Sequence, residues 1–451
     1  MNSRAEALHH EEISVNAPFP MPPIQIPIFP KRDFNITDFS AKEEVDNSDA
    51  IRKAITACHQ AGGGRVVVPD GVWNTGKIHF KSNVNLHLKK GAKLVFSGDP
   101  QDYLPAVQSS WEGFECFNYS PLIYAFKCEN VAITGEGTLQ ADMTTWKKWM
   151  SRPPAHLAAL QKLDTMAATN LPVEKRQMAE ADHNLRPQFI QFNRCHRVLI
   201  EGVRIRNSPF WTVHLFLSHS VIVRGIDIYA HGHNNDGIDP ENTQNLLIEN
   251  CRFDQGDDAI AIKSGSNHDG WRLNTPTENV VIRNCTVVAG HQLVAIGSEL
   301  SSGIRNIYVH DCHFVPGYKP HNLLFIKTNH RRGGFVENIH MENITADAVR
   351  HSVLGIETDV LYQWKKLVPT HEERITKIRD IHVSQITLKE TGRAAFRILG
   401  DARDPVKNVF LNTITIDRVH DKKSHYQNAT EIEESHIEIR KLIRSAKNAS
   451  N

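Results

Sequence analysis

The sequence has no run of 18 or more apolar residues, which leaves no candidate for a membrane-spanning helix. It also has almost no net charge: 52 Lys and Arg against 51 Asp and Glu leave +1. A near-neutral field favours neither a nucleic acid nor an anionic membrane as partner. The seven cysteines are an odd number in a long chain and do not form a disulfide framework. Residues Met1 to Phe19 lack the apolar core of a signal peptide, so either the protein stays in the cytoplasm or its leader has been removed. Neither the leucine-and-helix alternation of a leucine-rich repeat nor the regular Trp-Asp period of a propeller is present.

What is present is a repeat. Hydrophobic residues make up 40% of the chain, enough for a large core. Runs of aliphatic-x-aliphatic followed by an Asn or Gly turn recur at Val198, Val221, Leu246, Val280, Ile307, Ile339, Ile381 and Val409, at steps of 23, 25, 34, 27, 32, 42 and 28 residues. Such steps predict a single-stranded right-handed parallel β-helix, an all-β solenoid with loops inserted on one side. Branched residues in Val221-Ile-Val223 and Val280-Val-Ile282 would point inward and stack on the next coil. Cys251, Cys285 and Cys312 share one repeat context and read as small stacked core residues, with metal ligation the alternative.

Four segments flank or interrupt the pattern. Residues 1–33 are Pro-rich and aperiodic, as expected of an extended arm rather than a packed element. An amphipathic helix starts near Asn47-Ser48-Asp49, which offers capping oxygens, and ends at Gly62-Gly63-Gly64; it would cap one end of the solenoid. The catalytic solenoid spans 34–420. Residues 141–186, with a helix around Ala155–Lys162, read as an insertion forming a cleft wall, and 421–451 as a loosely attached tail.

Polar residues concentrate on three consecutive coils, around Asp236, around Asp257-Asp258 and around His291. Asp236 and Asp257 are 21 residues apart, about one coil, and Asp258 and His291 are 33 apart, one coil plus a loop. Neighbouring rungs, roughly 4.8 Å apart, would gather three carboxylates and an imidazole in one patch. Carboxylates so close repel, so at least one should hold its proton near neutrality. One acid and one carboxylate are what glycoside hydrolysis requires. The same residues also allow solvated turn aspartates or a Ca²⁺ site.

Four elements then occur in order: Asn234-Asn235-Asp236, Gly256-Asp257-Asp258, Gly290-His291-Gln292 and Phe325-Ile326-Lys327. Together with Phe34-Asn-Ile-Thr-Asp-Phe39 and Asn207-Ser-Pro-Phe-Trp211 they resemble glycoside hydrolase family 28, the polygalacturonases, over roughly residues 34–415. The resemblance implies inverting hydrolysis of an α-galacturonosidic bond in pectin, with a pectic polysaccharide or oligogalacturonide as substrate. It implies Asp257 as general acid, Asp236 and Asp258 as bases, His291 as a partner of the acid, Lys327 as a carboxylate ligand, and no metal or other cofactor. It also implies a secreted or periplasmic site of action. A monomer is expected.

This chain departs from the family pattern at three places. Asn235 stands for Thr, Gln292 for Gly and Phe325 for Arg; the last loses a bidentate carboxylate clamp. Lys263 and Arg331-Arg332 are candidate replacement cations, Asn234 and Phe325 candidate sugar contacts, and Arg186 and Trp211 further cleft candidates. The lost arginine and the 141–186 insertion favour exo action or a decorated pectin such as rhamnogalacturonan or xylogalacturonan. A β-helix polysaccharide lyase and a non-catalytic glycan-binding solenoid are the competing functions.

Overall fold

The computed structural model describes residues 11–362, 364–368 and 372–443; residues 1–10 and 444–451, parts of the expected arm and tail, lie outside them. The chain winds as a right-handed parallel β-helix. The eight aliphatic positions read as a repeat form one column: Val198, Val221, Leu246, Val280, Ile307, Ile339, Ile381 and Val409 are successive Cα partners in parallel register. All eight are fully buried. Turns between faces are built from residues with positive φ, mostly asparagines, and their amides bond from rung to rung: Asn279 to Asn245 at 2.9 Å, Asn306 to Asn279 at 2.9 Å, Asn338 to Asn306 at 2.7 Å. All seven cysteines are buried and unbridged, with Cys251, Cys285 and Cys312 in the core.

One face is an 11-stranded parallel sheet that includes Val213–Phe216, Ile238–Glu241, Ile260–Ile262, Gln292–Ile296, Asn322–Lys327, Ser352–Glu357 and Phe396–Leu399. The chemistry-bearing residues lie on or just before these strands. The helix runs Ser48–Gln60 and buries Ala50, Ile51, Ala54, Ile55 and Cys58. Its start differs from the expected cap: the Asn47 side chain accepts from the Lys42 N–H at 2.8 Å instead of from the helix. The Gly run takes φ of +87°, +110° and +150°, ending the helix as expected. Among the described residues no helix is long and apolar enough to cross a membrane.

Both termini differ from expectation. Residues 424–443 are not a loose tail but one more coil: Ser424–Gln427 and Ile432–Ile443 pair in parallel with the strands before them, because Ile432, Ile437 and Ile439 continue the aliphatic pattern. The arm is extended but packed. Glu11–Ile13 and Ile24–Ile26 pair antiparallel, and Val15 and Ile24 lie over an outward-facing ladder of Ala132, Leu199, Ile222, Leu247 and Val281. That ladder is the middle residue of each Val-Ile-Val-type strand, so it needs a cover that a charged surface would not supply. Ile24→Ala is expected to cost about 2–3 kcal/mol, seen as a lower denaturant midpoint with activity at 25 °C unchanged.

Candidate active site

A cleft of about 590 Å³ runs along the parallel face, lined from Trp211 at one end to Arg393 and Arg397 at the other. Asp236 and Asp257 both line it, each held just before a strand of the face. Asp258, only 1% exposed, lies beneath it and contacts a lining residue: Lys327 Nζ is 3.2 Å from Asp258 Oδ2. His291 Nδ1 is 3.0 Å from Asp257 Oδ1. The backbone fixes this juxtaposition. The Gly237 N–H donates to the Asp258 carbonyl at 3.0 Å, and the His291 N–H donates to the Asp257 carbonyl at 2.8 Å. Asn235, where Thr is the family residue, spans the turn with two donations of 2.9 Å to the carbonyls of Ser208 and Phe210, which holds Asp236 in place.

The carboxyls are electrostatically distinct. Burial, with the charge of Asp257 added, raises Asp236 well above the ordinary carboxylate range. Burial raises Asp258 too, with Lys327 opposing. Burial also acts upward on Asp257, but the His291 hydrogen bond and charge outweigh it and hold Asp257 at about 2. His291 is correspondingly raised, first by that hydrogen bond. In the free protein the proton of this pair therefore rests on the imidazole, while burial favours the neutral form of both Asp236 and Asp258. One oxygen each of Asp236 and Asp258 has no hydrogen-bond partner among the described residues, which leaves both able to accept from a water.

The remaining expected residues divide. Lys263 lines the cleft over Trp211, 4.6 Å from its ring, but its ammonium is committed to Glu299 at 3.0 Å and lies 3.9 Å from Asp239. Asn234 lines the cleft and accepts from Arg186 at 3.1 Å. Arg186 is buried behind it, donating to the carbonyls of Pro209 and His233. Phe325 lines the cleft. Arg331 does not: it is buried away from the cleft, its charge opposed by Asp164, because the turn at 329–332 folds its side chain inward. Arg332 likewise points inward, to Ser298 and Asn267. A cation at the cleft wall that was not singled out from the sequence stands elsewhere. Phe325, Gly355 and Arg397 are successive register partners, so a glycine opens the cleft above Phe325 and Arg397 follows. Arg397 pairs with Glu357 at 3.0 Å.

Asp257, Asp258 and His291 each bring one atom within 4.8 Å of the others, and Glu180, Asp182 and His183 do the same elsewhere. A cation at the first group would compete with the Lys327 ammonium and the His291 proton.

The short end of the cleft is closed. Strands Ile123–Phe126 and Ile190–Asn193, on the two preceding coils, contribute no lining residue. A hairpin, Val107–Trp111 paired with Phe114–Asn118, covers them. Tyr124 Oη donates to the Gln108 carbonyl at 2.5 Å, Gln191 donates to Ser109 Oγ at 3.0 Å, and Gln188 donates to the Ser110 carbonyl at 2.8 Å. The 141–186 insertion, whose helix runs Pro154–Ala168, adds Arg152 to the lining.

The sequence profile of glycosyl hydrolases family 28 matches residues 58–436. The chain belongs to this family. As a family 28 member it is a glycoside hydrolase. It is similar to an exopolygalacturonase from Thermotoga maritima, at 38% identity and TM-score 0.82, over 94% of each chain. A curated relative from Vitis vinifera, "Probable polygalacturonase", is 26% identical over 86% of this chain and 74% of its own length. An exo-poly-alpha-D-galacturonosidase of Dickeya chrysanthemi is 28% identical over 60% of this chain, which is 48% of that protein. The four motif elements of this family 28 chain thus converge on one cleft, while its cations are distributed differently from the sequence expectation.

Proposed function

We propose that the protein is an exo-acting polygalacturonase that acts as a monomer outside the cytoplasm and hydrolyses the terminal α-galacturonosidic bond of a pectic chain with inversion. The observation that carries this reading is the asymmetry of the cleft. From the Trp211 coil to the Asp257 coil is two rung spacings, roughly 10 Å, and from there to the Arg397 coil is four, roughly 19 Å. The closed side is about half as long as the open side, so the chain extends mainly toward Arg397. Asp257, supplied with the His291 proton, protonates the leaving oxygen. Sugar entry expels water, which weakens an imidazolium–carboxylate pair relative to its neutral form and moves the proton onto Asp257. Asp258, on which Lys327 opposes the upward push of burial, takes the proton of the attacking water while Asp236 orients it. Lys327, Lys263, Asn234, Phe325 and Arg397 are the proposed sugar contacts.

Digestion of polygalacturonate with products resolved by size and the new anomer followed by NMR tests this reading. Monomer from the first minutes onward, with inverted configuration, is expected. A ladder of oligomers would overturn exo action, and retained configuration would overturn the mechanism. The geometry shared by Asp257, Asp258 and His291 also favours testing a lyase, which would give a product absorbing in the ultraviolet and lose activity with chelator.

A further inference from the structure

The closed end carries a residue that the catalytic scheme does not use. Glu112 sits at the tip of the hairpin between Val107–Trp111 and Phe114–Asn118. Glu112 and Gly113 have φ of +44° and +84°, a two-residue turn in which Asn, Asp or Gly ordinarily occupies the first place. Holding a glutamate there costs about 1 kcal/mol. The turn is pinned from below: the Ser266 N–H donates to the Gly113 carbonyl at 3.0 Å and Ser266 Oγ donates to the Glu112 carbonyl at 2.8 Å. A Cβ on Gly113 would come within 2.5 Å of Ser266 Oγ.

The pinned turn aims the side chain into the cleft, where it is 7% exposed. Its carboxyl makes no hydrogen bond among the described residues, whereas Glu115 is held by Arg194 and Arg272, Glu241 by Ser110 and His214, and Glu299 by Lys263. An unpaired buried carboxyl and a strained backbone at one residue are both unfavourable for folding, and such features concentrate where a ligand supplies the missing partner. A turn that served only packing would be better made with Asn-Gly.

We propose that Glu112 recognises the free 4-hydroxyl of the chain's non-reducing terminal sugar and is the end stop that makes this site act on termini. This rests on the exo-polygalacturonase reading and extends it. An internal sugar of a 1,4-linked chain has no free 4-hydroxyl, so a group reading that hydroxyl distinguishes an end from a middle. The non-reducing sugar faces Glu112 because Asp236, on the water side, belongs to the coil nearer the closed end, while His291, behind the acid, lies toward the open end. Around Glu112 stand Glu299, Arg152, Lys263 and Arg186; burial first, then the Glu299 charge, push its carboxyl up to about 7 against the three cations. Near neutrality it therefore passes from donor to charged acceptor, and in the charged state it repels a galacturonate.

The test compares kcat/KM for trigalacturonate and for the same trimer with a 4,5-unsaturated non-reducing residue, which lacks the 4-hydroxyl. Wild type is expected to prefer the saturated trimer at least about tenfold. Glu112→Ala should lose about 100-fold on the saturated trimer and little on the unsaturated one, erasing the preference. Glu112→Gln, which can still donate, should retain most of the preference and lack the rise in KM between pH 6 and pH 8 that is expected of wild type. A folded Glu112→Ala that keeps the preference, or that loses equally on both trimers, would overturn the proposal. Wild type inactive on both trimers would remove the polygalacturonase reading itself, and this inference with it.

Discussion

Asp257→Asn is expected to lower kcat on trigalacturonate by about 10³-fold, within the range a general acid contributes, with little change in KM. Asparagine keeps the volume, and its carbonyl oxygen still accepts from His291, which sits 3.0 Å from Asp257 in the native site. What is lost is an acidic proton for the leaving oxygen. The defect should therefore shrink on an aryl galacturonide, whose leaving group departs without protonation. Equal losses on both substrates would point to damaged binding or folding and sink the assignment. The pH profile has a matching sign. The proton that Asp257 delivers rests on His291, which its hydrogen bond to Asp257 raises above the ordinary imidazole range. Activity should fall as pH rises through that elevated value, giving a basic limb later than a free histidine would.

Lys327→Met is expected to lower kcat about 10²-fold and to move the acidic limb to higher pH. Lys327 is the cation nearest Asp258, and it opposes the upward push of burial on that carboxyl. Without it the upward push of burial on Asp258 is less opposed, and the carboxyl is a poorer acceptor for the proton of the water. The stability of the variant should depend on pH in the same sense. Asp236 and Asp258 are raised in the folded state, so their contribution to stability is present below the ordinary carboxylate range and is lost as pH rises through the folded values. Removing Lys327 worsens this at alkaline pH, by about 3 kcal/mol for a buried charge left unpaired. Urea melts at pH 8 and pH 5 should show a gap that closes on acidification. A gap of equal size at both would mean that lost packing, rather than charge, explains the defect.

The parts of the molecule that repeat could be read in advance. Eight aliphatic positions predicted a solenoid, and they stand in one register column because each coil needs the same inward residues. Asp236, Asp257 and His291 gather as their spacing suggested, since rung-to-rung distance follows from coil length. What was not legible depends on insertions and on side-chain direction. Glu112 precedes Ser266, which pins it, by 154 residues, and nothing periodic links them. Arg331 was a candidate cation that burial takes out of the cleft, and the Glu299 partner of Lys263, 36 residues away, could not be foreseen. Arg397 went unnoticed because its place beside the cleft depends on Gly355 leaving a gap on the intervening rung.

The arm across the outer ladder alters how such a molecule comes apart. In a solenoid each coil holds only its neighbours, so loss of structure can start at an end and travel inward one turn at a time. Here the segment 13–29 packs over Ala132, Leu199, Ile222, Leu247 and Val281 at once, five consecutive turns. Fraying that reaches this stretch must release the whole strap before it can proceed. The aspartates at 236, 257 and 258 precede strands of the other sheet on two of those turns, those of Leu247 and Val281, so a cluster of mutually repelling carboxyls stands on coils that the strap binds together.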